Sequence, residues 1–590
     1  MSAIMFLAAA FTQTPEPVLY FDMEACLAGM PNDSVLHYDV VAFVASLQGI
    51  VNRTGPRLVI RFLEGDSVKG PINVDDYWLA TLQRGWLKDN EIRRMSSLEE
   101  LIDAFPEARA GVVVWDPAVP ATSNVAATVC GVEDWLPSRA GGALFARLVE
   151  SGPQLPVKLS LVDRFTGSES GSAKCDAYLW AKRAYLDTGK TNPVFMANYI
   201  DAYSQTPGKA GYHYNDLFNA TITNRDFYIA WRAFFFDLSP WADEAPVDDP
   251  NQPLGTDRNT LIEILRAQVA RNQGKAITTV GGMTPWNLKY TNHGLAGGQH
   301  DPVPTEWEYA AILSAHNAMM DADALGFACL TNASAYAHHP LQLRYKQSEP
   351  TPRQMLMPKT YVLIYMGDYD SSAWLSRHIP LVWDDESRGS MPIAWAFNPN
   401  LSARVPYVFD HVFRTKTPND YFIAGEGVGY LNPNLLIGER MGSGVPEALD
   451  IWTTQSRIAY QRFDMSITGF VITGKYGDVP LRVQEAFATF SPNGIGTQLG
   501  YEQPIVRSTP FLRHAADIYP NLADLGKTAA EMARYAKPEE RPQFLIFRMI
   551  LQTPSTLIRL REHLNRDYGQ FNWEFCDPYT FFSLYERSIN

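Results

Sequence analysis

Carboxylates follow several predicted buried strands in the second half of the chain. Asp368 and Asp370 come just after the strongest apolar run, residues 361–366, and Glu426 follows a second such run. Glycoside hydrolysis needs two carboxyl groups that flank the scissile bond, one protonated as the acid and one ionised as the base or nucleophile. Because the two groups can come from different strands, their separation in the sequence does not test the pairing. We therefore predict catalytic carboxylates at strand ends, with Glu502 as a further candidate.

Glu426 is the first candidate for the protonated carboxyl group. It lies in the turn G-E-G-V-G-Y at 425–430, where glycines allow the backbone to lift a carboxylate over a pocket, and Tyr430 could hydrogen-bond it. Asp368 is the candidate for the ionised group, because the hydroxyls of residues 371–372 could stabilise its charge. The alternative for Glu426 is a surface glutamate in a mobile loop.

The D-Y-D motif formed by Asp368 and Asp370 has two other interpretations. On an extended strand both side chains would lie on one face, where they could bind a metal ion or two substrate hydroxyls. They could also form a turn or cap before a helix that begins near Ser371. The sequence contains no H-x-x-x-H motif, and its 5 cysteines lack C-x-x-C spacing. We therefore expect no metal and no cofactor.

Aromatic and amide side chains accompany the carboxylates at the predicted strand ends. Carbohydrate sites combine a few hydrogen-bonding groups with aromatic rings that lie against the sugar. The chain is rich in such rings, with 14 Trp and 28 Tyr, and it has no G-x-S-x-G motif for acyl transfer. We therefore predict a saccharide substrate. The predicted substrate-binding residues are Trp286, Trp374, Asn398, Tyr430 and Tyr501.

Charge and hydropathy exclude several other classes of partner. The net charge is −14 and the pI is near 5.3, without the clustered Lys and Arg that nucleic-acid binding requires. No segment approaches the roughly 20 apolar residues of a membrane span. The apolar run at 4–11 resembles the end of a secretory signal without its basic region. We expect a secreted or periplasmic protein, and the sequence does not indicate an oligomeric state.

Alternating apolar strands and amphipathic helices predict an α/β protein in three parts. Residues 17–135 and 136–270 are two N-terminal α/β modules, the second ending in a linker. Residues 275–590 are predicted to form a (β/α) barrel-like domain, whose site would lie at the carboxyl ends of its strands. A doubly wound open sheet is the alternative, and residues 306–322 are predicted to be helical. The predicted strands are 277–281, 326–330, 360–366, 392–397, 421–424, 468–473, 494–498 and 544–550, with a ninth at 573–576.

Four short motifs resemble those of the GxGYxYP family of putative glycoside hydrolases. The segment 427–433, G-V-G-Y-L-N-P, is similar to the family signature, with Asn432 in place of its second tyrosine. The segment 367–374 resembles the family's S-D-G-D-N run and keeps both aspartates, with Ser371 in place of asparagine. The other two motifs are 47–53 and 577–582.

The resemblance implies a glycoside hydrolase that acts on an oligo- or polysaccharide through two carboxylates at the rim of the barrel. Two alternatives stay open. One is a non-catalytic carbohydrate-binding protein that keeps the aromatic rim, which the departures at Ser371 and Asn432 favour. The other is a metal-dependent carbohydrate esterase that uses Asp368 and Asp370.

Overall fold

The structure is a computed structural model that describes residues 16–62, 72–201, 223–284, 289–293, 298–323, 330–352, 354–498 and 503–590. In these ranges the protein has a mixed α/β structure with mostly parallel sheets, which confirms the predicted α/β class. The predictions for the segment 4–11 and for Trp286, Tyr501 and Glu502 concern residues outside the described ranges.

Helices connect most of the parallel strands, as a parallel sheet requires. The described α-helices of four or more residues are Met23–Ala28, Ser34–Val51, Val74–Gln83, Leu98–Ala104, Thr122–Glu133, Ala173–Ala181, Asp226–Ala230, Thr256–Arg271, Pro302–Ala315, Ala333–Tyr336, Ser372–Val382, Pro406–Thr415, Leu449–Phe463, Leu481–Phe490, Leu525–Ala533, Pro554–Asp567 and Pro578–Ile589. Among the described residues, Ser34–Val51 is the one helix long and apolar enough to span a membrane, and 78% of it is buried inside the protein. That burial accounts for its apolar composition.

Two three-stranded parallel sheets form the N-terminal part. In the first, β1 (Val18–Asp22) lies between β2 (Leu58–Arg61) and β3 (Ile92–Met95). In the second, β4 (Val112–Trp115) lies between β5 (Leu136–Arg139) and β6 (Val157–Ser160).

A four-stranded parallel sheet follows, formed by β7 (Phe195–Asn198), β8 (Phe234–Phe236), β9 (Thr278–Gly281) and β10 (Ala318–Asp321). Its strand order is β10-β9-β7-β8. The sequence predicts β9 as part of the C-terminal domain, but in the structure it pairs with β7, a strand of the predicted second module.

Residues 318–321 form β10, so the prediction that residues 306–322 are helical was wrong at its end. The helix stops at Ala315, and Asn317 has a φ of +56° just before the strand. Every residue of β10 is buried. A fully buried parallel strand gives a short continuous apolar run, which periodicity alone does not distinguish from buried helix.

The C-terminal strands occupy two sheets, with orders β13-β12-β11-β19-β18 and β14-β15-β17-β16, and β20 pairs with β11. A parallel bridge between Ala424 and Thr468 joins the two. Their bounds are β11 (Thr360–Tyr369), β12 (Ile393–Phe397), β13 (Asp420–Ile423), β14 (Ile467–Val471), β15 (Gly494–Thr497), β16 (Ile505–Val506), β17 (Thr509–Arg513), β18 (Ala516–Ile518), β19 (Gln543–Ile550) and β20 (Trp573–Phe575).

The segment β17–β18 links these two sheets. β17 pairs with β15, and β18, two residues later, pairs with β19. Starting from β11, neighbouring strands therefore follow one another in the order β12, β13, β14 and β15. The segment β17–β18 comes next, followed by β19, which pairs with β11. The sequence did not predict β17 or β18, because both strands are short and partly exposed. β17 also contains Pro510, which is unusual within a strand.

Candidate functional site

A cavity of about 300 Å³ opens at the carboxyl ends of the C-terminal strands. Asp368 and Asp370 reach it from the end of β11, Glu426 from the loop after β13, and Arg548 from β19. Side chains from outside these strands also line it, among them Glu306 of the helix Pro302–Ala315. Because parallel strands direct their carboxyl ends to the same side, polar groups distant in sequence meet there.

Asp368 lies in a bulge near the end of β11. Its φ is +66°, and the pairing with β12 shifts register between Met366 and Tyr369. Gly367 precedes it, and a Cβ there would lie 2.6 Å from Cε1 of Tyr365. The expectation of a regular extended D-Y-D was therefore wrong, since a left-handed residue interrupts the strand. Asp368 and Asp370 nevertheless line the same cavity.

Asp368 is paired with Arg548, whose guanidinium also donates to Asp517 Oδ2 at 3.1 Å. The predicted bonds from the hydroxyls of Ser371 and Ser372 to Asp368 are not made, because those hydroxyls donate to Asp323 and Asp321. Burial raises the pKa of Asp368, although the Arg548 charge opposes that rise. Its negative charge is thus stabilised by Arg548 and not by the serines.

The side chain that caps the helix Ser372–Val382 is Ser371, not Asp368 or Asp370. Its Oγ accepts from the backbone N–H of Ala373 and Trp374 and donates to Asp323 Oδ1 at 2.7 Å. The amide of Ala322 donates to the backbone oxygen of Asp370 at 3.3 Å. The segment after β10 therefore fixes the start of the helix that follows Asp370.

A buried arginine binds two aspartates at the end of β10. Arg404 donates to Asp321 Oδ2 at 2.9 Å and to Asp323 Oδ2 at 2.5 Å. Tyr199, which follows β7, donates to the same Asp323 oxygen at 2.7 Å. These bonds connect β7 and β10 to Arg404, which precedes the helix Pro406–Thr415.

The pKa of Asp370 is raised well above its ordinary value. Burial is the largest cause, followed by the nearby carboxylates of Glu426, Asp368 and Glu306. When carboxyl groups share one site, their mutual repulsion disfavours the charged form of each. The surroundings of Asp370 therefore favour its protonated form.

Glu426 is only 4% exposed, so it is not the mobile surface glutamate of the alternative interpretation. Asn398 Nδ2 donates to its Oε2, and Asn398 Oδ1 accepts from the Glu426 backbone N–H at 3.2 Å. Burial raises the pKa of Glu426 to about 7, and the bond from Asn398 opposes the rise. Asn398 thus holds Glu426 in place, and it is not among the described residues that line the cavity.

The backbone around Glu426 lies so close to neighbouring residues that a side chain larger than that of glycine would not fit. A Cβ on Gly425 would lie 2.5 Å from Asn398 Oδ1, and one on Gly427, whose φ is +101°, would lie 2.8 Å from Trp452 Cζ2. Gly429 has a φ of +82°, and a Cβ there would lie 2.1 Å from Met319 Sδ. The glycine-rich loop therefore packs tightly between β10 and the helix Leu449–Phe463.

Tyr430 lines the cavity, but it does not bond Glu426 as predicted. Its hydroxyl donates to Glu306 Oε1 at 2.6 Å, and its backbone oxygen accepts from Met320 of β10 at 2.9 Å. Trp374 also lies on the cavity wall. Tyr430 is thus positioned by β10 and by the helix that carries Glu306.

Sequence reasoning missed Arg548, Glu306 and Asp517. Arg548 had a visible signal, since it is the one charged residue in the apolar strand Gln543–Ile550. Glu306 lies at the start of a predicted helix, and the sequence predicts no strand around Asp517. Within the described ranges, no group of three or more His, Cys, Asp or Glu side chains is arranged to hold a metal ion.

Comparison with known families supports the resemblance seen in the motifs. Residues 358–586 match the family model described as "GxGYxYP putative glycoside hydrolase C-terminal domain". The resemblance is thereby confirmed for this part of the chain. The match includes Asp368, Asp370 and Glu426, and it ends before the last residues of the helix Pro578–Ile589.

A solved structure described as a putative hydrolase from Bacteroides thetaiotaomicron is similar in fold. It superposes with a TM-score of 0.67 over 97% of this chain and 95% of the other, at 13% sequence identity. A putative polysaccharide deacetylase from Mycobacterium smegmatis aligns with a TM-score of 0.28, 12% identity, and coverage of 42% of this chain and 96% of the other. No curated protein matches the chain significantly. At this identity the first likeness concerns the fold alone.

Proposed function

We propose that the protein is a glycoside hydrolase in which Asp370 is the general acid and Glu426 the general base or nucleophile. The observation that carries this proposal is the position of both carboxyl groups on one cavity, with burial and mutual repulsion acting on their pKa values. Glycoside hydrolysis requires one protonated and one ionised carboxyl group. The family match over 358–586 supports the same reaction class.

The roles differ from those that the sequence suggested. Asp370, whose pKa is raised well above its ordinary value, keeps a proton that it can give to the leaving oxygen. Glu426 loses its proton near pH 7, and the amide of Asn398 stabilises the resulting charge. Asp368 orients Arg548 and is not assigned a proton transfer.

The walls of the cavity suit a sugar ring. Trp307, Trp374, Phe470 and Tyr519 supply aromatic and apolar surface beside the carboxyl groups. Such surface packs against the C–H face of a sugar while polar groups bond its hydroxyls. This combination supports the proposal of an oligo- or polysaccharide substrate.

We also infer that the C-terminal strands form a (β/α) barrel. The support is the cyclic pairing among the described strands, in which β17 and β18 act as one strand between β15 and β19. The position of the cavity at the carboxyl ends agrees with the placement of sites in such barrels.

The proposal predicts a specific pH profile for hydrolysis of an oligosaccharide panel. The value of kcat/KM should rise as the pH passes through about 7, because Glu426 must lose its proton. It should fall at higher pH, where Asp370 loses its own. Asn398→Ala removes a bond that lowers the pKa of Glu426, so the rising limb should move to higher pH.

The opposite profile would contradict these roles. Activity that falls as the pH passes through 7 would make Glu426 the acid, as the sequence-based hypothesis had it. Binding of saccharides without turnover at any pH would favour the non-catalytic binding protein.

A further inference from the structure

We propose that the cavity accepts sugar units without a negative charge and discriminates against uronic acids and sulfated sugars. This inference rests on the proposed function, because it concerns the substrate of the same site. The observations that support it are the charges of the side chains that line the cavity, and it does not depend on which carboxyl group transfers the proton. The structural reason is an excess of carboxyl groups together with one arginine that is already paired.

Five carboxyl side chains line the cavity: Glu306, Asp368, Asp370, Glu426 and Asp517. Among the described lining residues, Arg548 is the one cationic side chain. Even with Asp370 protonated, the remaining carboxylates outnumber the single positive charge. A substrate carboxylate or sulfate would enter a site of like charge, which binding sites use to exclude wrong partners.

The charge of Arg548 is already compensated by two carboxylates. One terminal nitrogen bonds Asp368 and the other bonds Asp517 at 3.1 Å. The guanidinium carbon lies 4.8 Å from the centroid of the Phe470 ring, so one face of the group is covered. A substrate carboxylate would therefore compete with Asp368 and Asp517 for this guanidinium.

Lys475 follows the lining residue Ile472 by three positions, but its ammonium group is paired with Glu308. The chemistry of the cavity thus favours neutral or protonated amino sugars.

The test measures binding of matched sugar pairs that differ only at one carbon, such as a methyl glucoside and the corresponding glucuronide. Calorimetry should show the neutral member binding about 100-fold or more tightly than the uronate. The comparison should be repeated for the galactose pair, so that sugar configuration and charge are separated.

A variant tests the origin of the selectivity. Asp517→Asn removes one carboxylate and frees one Arg548 nitrogen, so the affinity ratio should shift about tenfold toward the uronate. Glu447→Gln is the matched control, since it removes the same charge from a surface pair with Arg482. It should leave the ratio unchanged.

The outcomes separate this inference from the proposed function. Neutral sugars that bind selectively without being hydrolysed would overturn the hydrolase and support the charge selectivity. Uronates that bind as tightly as their neutral partners, with hydrolysis of either, would overturn the selectivity alone. An absence of binding by every member of both pairs would overturn the selectivity, and it would overturn the proposed function as well if no member of the oligosaccharide panel were hydrolysed.

Discussion

Replacing Asp370 with asparagine should lower the turnover of a saccharide substrate by about 10²–10⁴-fold while preserving its binding. Asparagine keeps the shape of the side chain but cannot supply the acidic proton that the leaving oxygen needs. Asp370 is the group to remove because burial and three neighbouring carboxylates raise its pKa well above the ordinary value. Steady-state kinetics and calorimetry on the same oligosaccharide would check the two parts of this prediction.

Glu426→Gln should cause a loss of the same order, since the ionised partner is then missing. Asp420→Asn is the matched control, because Asp420 is a buried carboxylate at the opposite end of β13 and is paired with Arg388. It should reduce stability more than turnover. Wild-type turnover in both Asp370→Asn and Glu426→Gln would place the chemistry elsewhere on the cavity wall.

Replacing Arg404 with methionine should destabilise the protein by about 3–5 kcal/mol. The change leaves Asp321 and Asp323 buried side by side without their positive partner. The side chains of Arg404, Asp321 and Asp323 are 3%, 2% and 1% exposed, respectively. The stability of such a cluster is lost when one member is removed, because a buried charge is left uncompensated. The midpoint of thermal unfolding measures the effect.

Arg414→Met gives the comparison for that experiment. Arg414 also pairs with a buried aspartate, Asp410, but its own side chain is 62% exposed, so its removal should cost about 1 kcal/mol or less. Equal unfolding midpoints for the two variants would contradict the assigned role of Arg404. A lower midpoint for Arg404→Met, together with reduced turnover, would connect the buried cluster to the site beside Asp370.

Strand ends and glycine-rich turns made part of the site predictable. Asp368, Asp370 and Glu426 could be named because each follows a strongly apolar strand, and the carboxyl ends of parallel strands gather on one side. Trp374 and Tyr430 followed from the same reasoning and also line the cavity. Their chemical roles, however, depend on neighbours that the local sequence does not contain.

Long-range partners explain what could not be predicted. The partner of Asp368, Arg548, is 180 positions away, and the partner of Tyr430, Glu306, is 124 positions away. Neither spacing follows a helix or strand period, so only the folded sheet brings these side chains together. The expected bond from Tyr430 to Glu426 failed for this reason.

Short buried strands set the limit on the fold prediction. β10 has four fully buried residues and follows a helix after two residues, so its apolar run merged with the helical pattern. β17 and β18 have mixed exposure and no clear alternation. These strands matter, because β10 supports the loop of Glu426 and the segment β17–β18 carries Asp517 into the cavity.

Mass spectrometry of the products formed from a partly acetylated oligosaccharide, with and without a chelator, tests the central claim most directly. A hydrolase that uses Asp370 and Glu426 should yield shorter saccharides that keep their acetyl groups, and the Asp370→Asn variant should yield almost none. Products of the original length that have lost acetyl groups would instead indicate an esterase. Full-length, unmodified saccharide after prolonged incubation with a protein that binds it would contradict hydrolysis altogether.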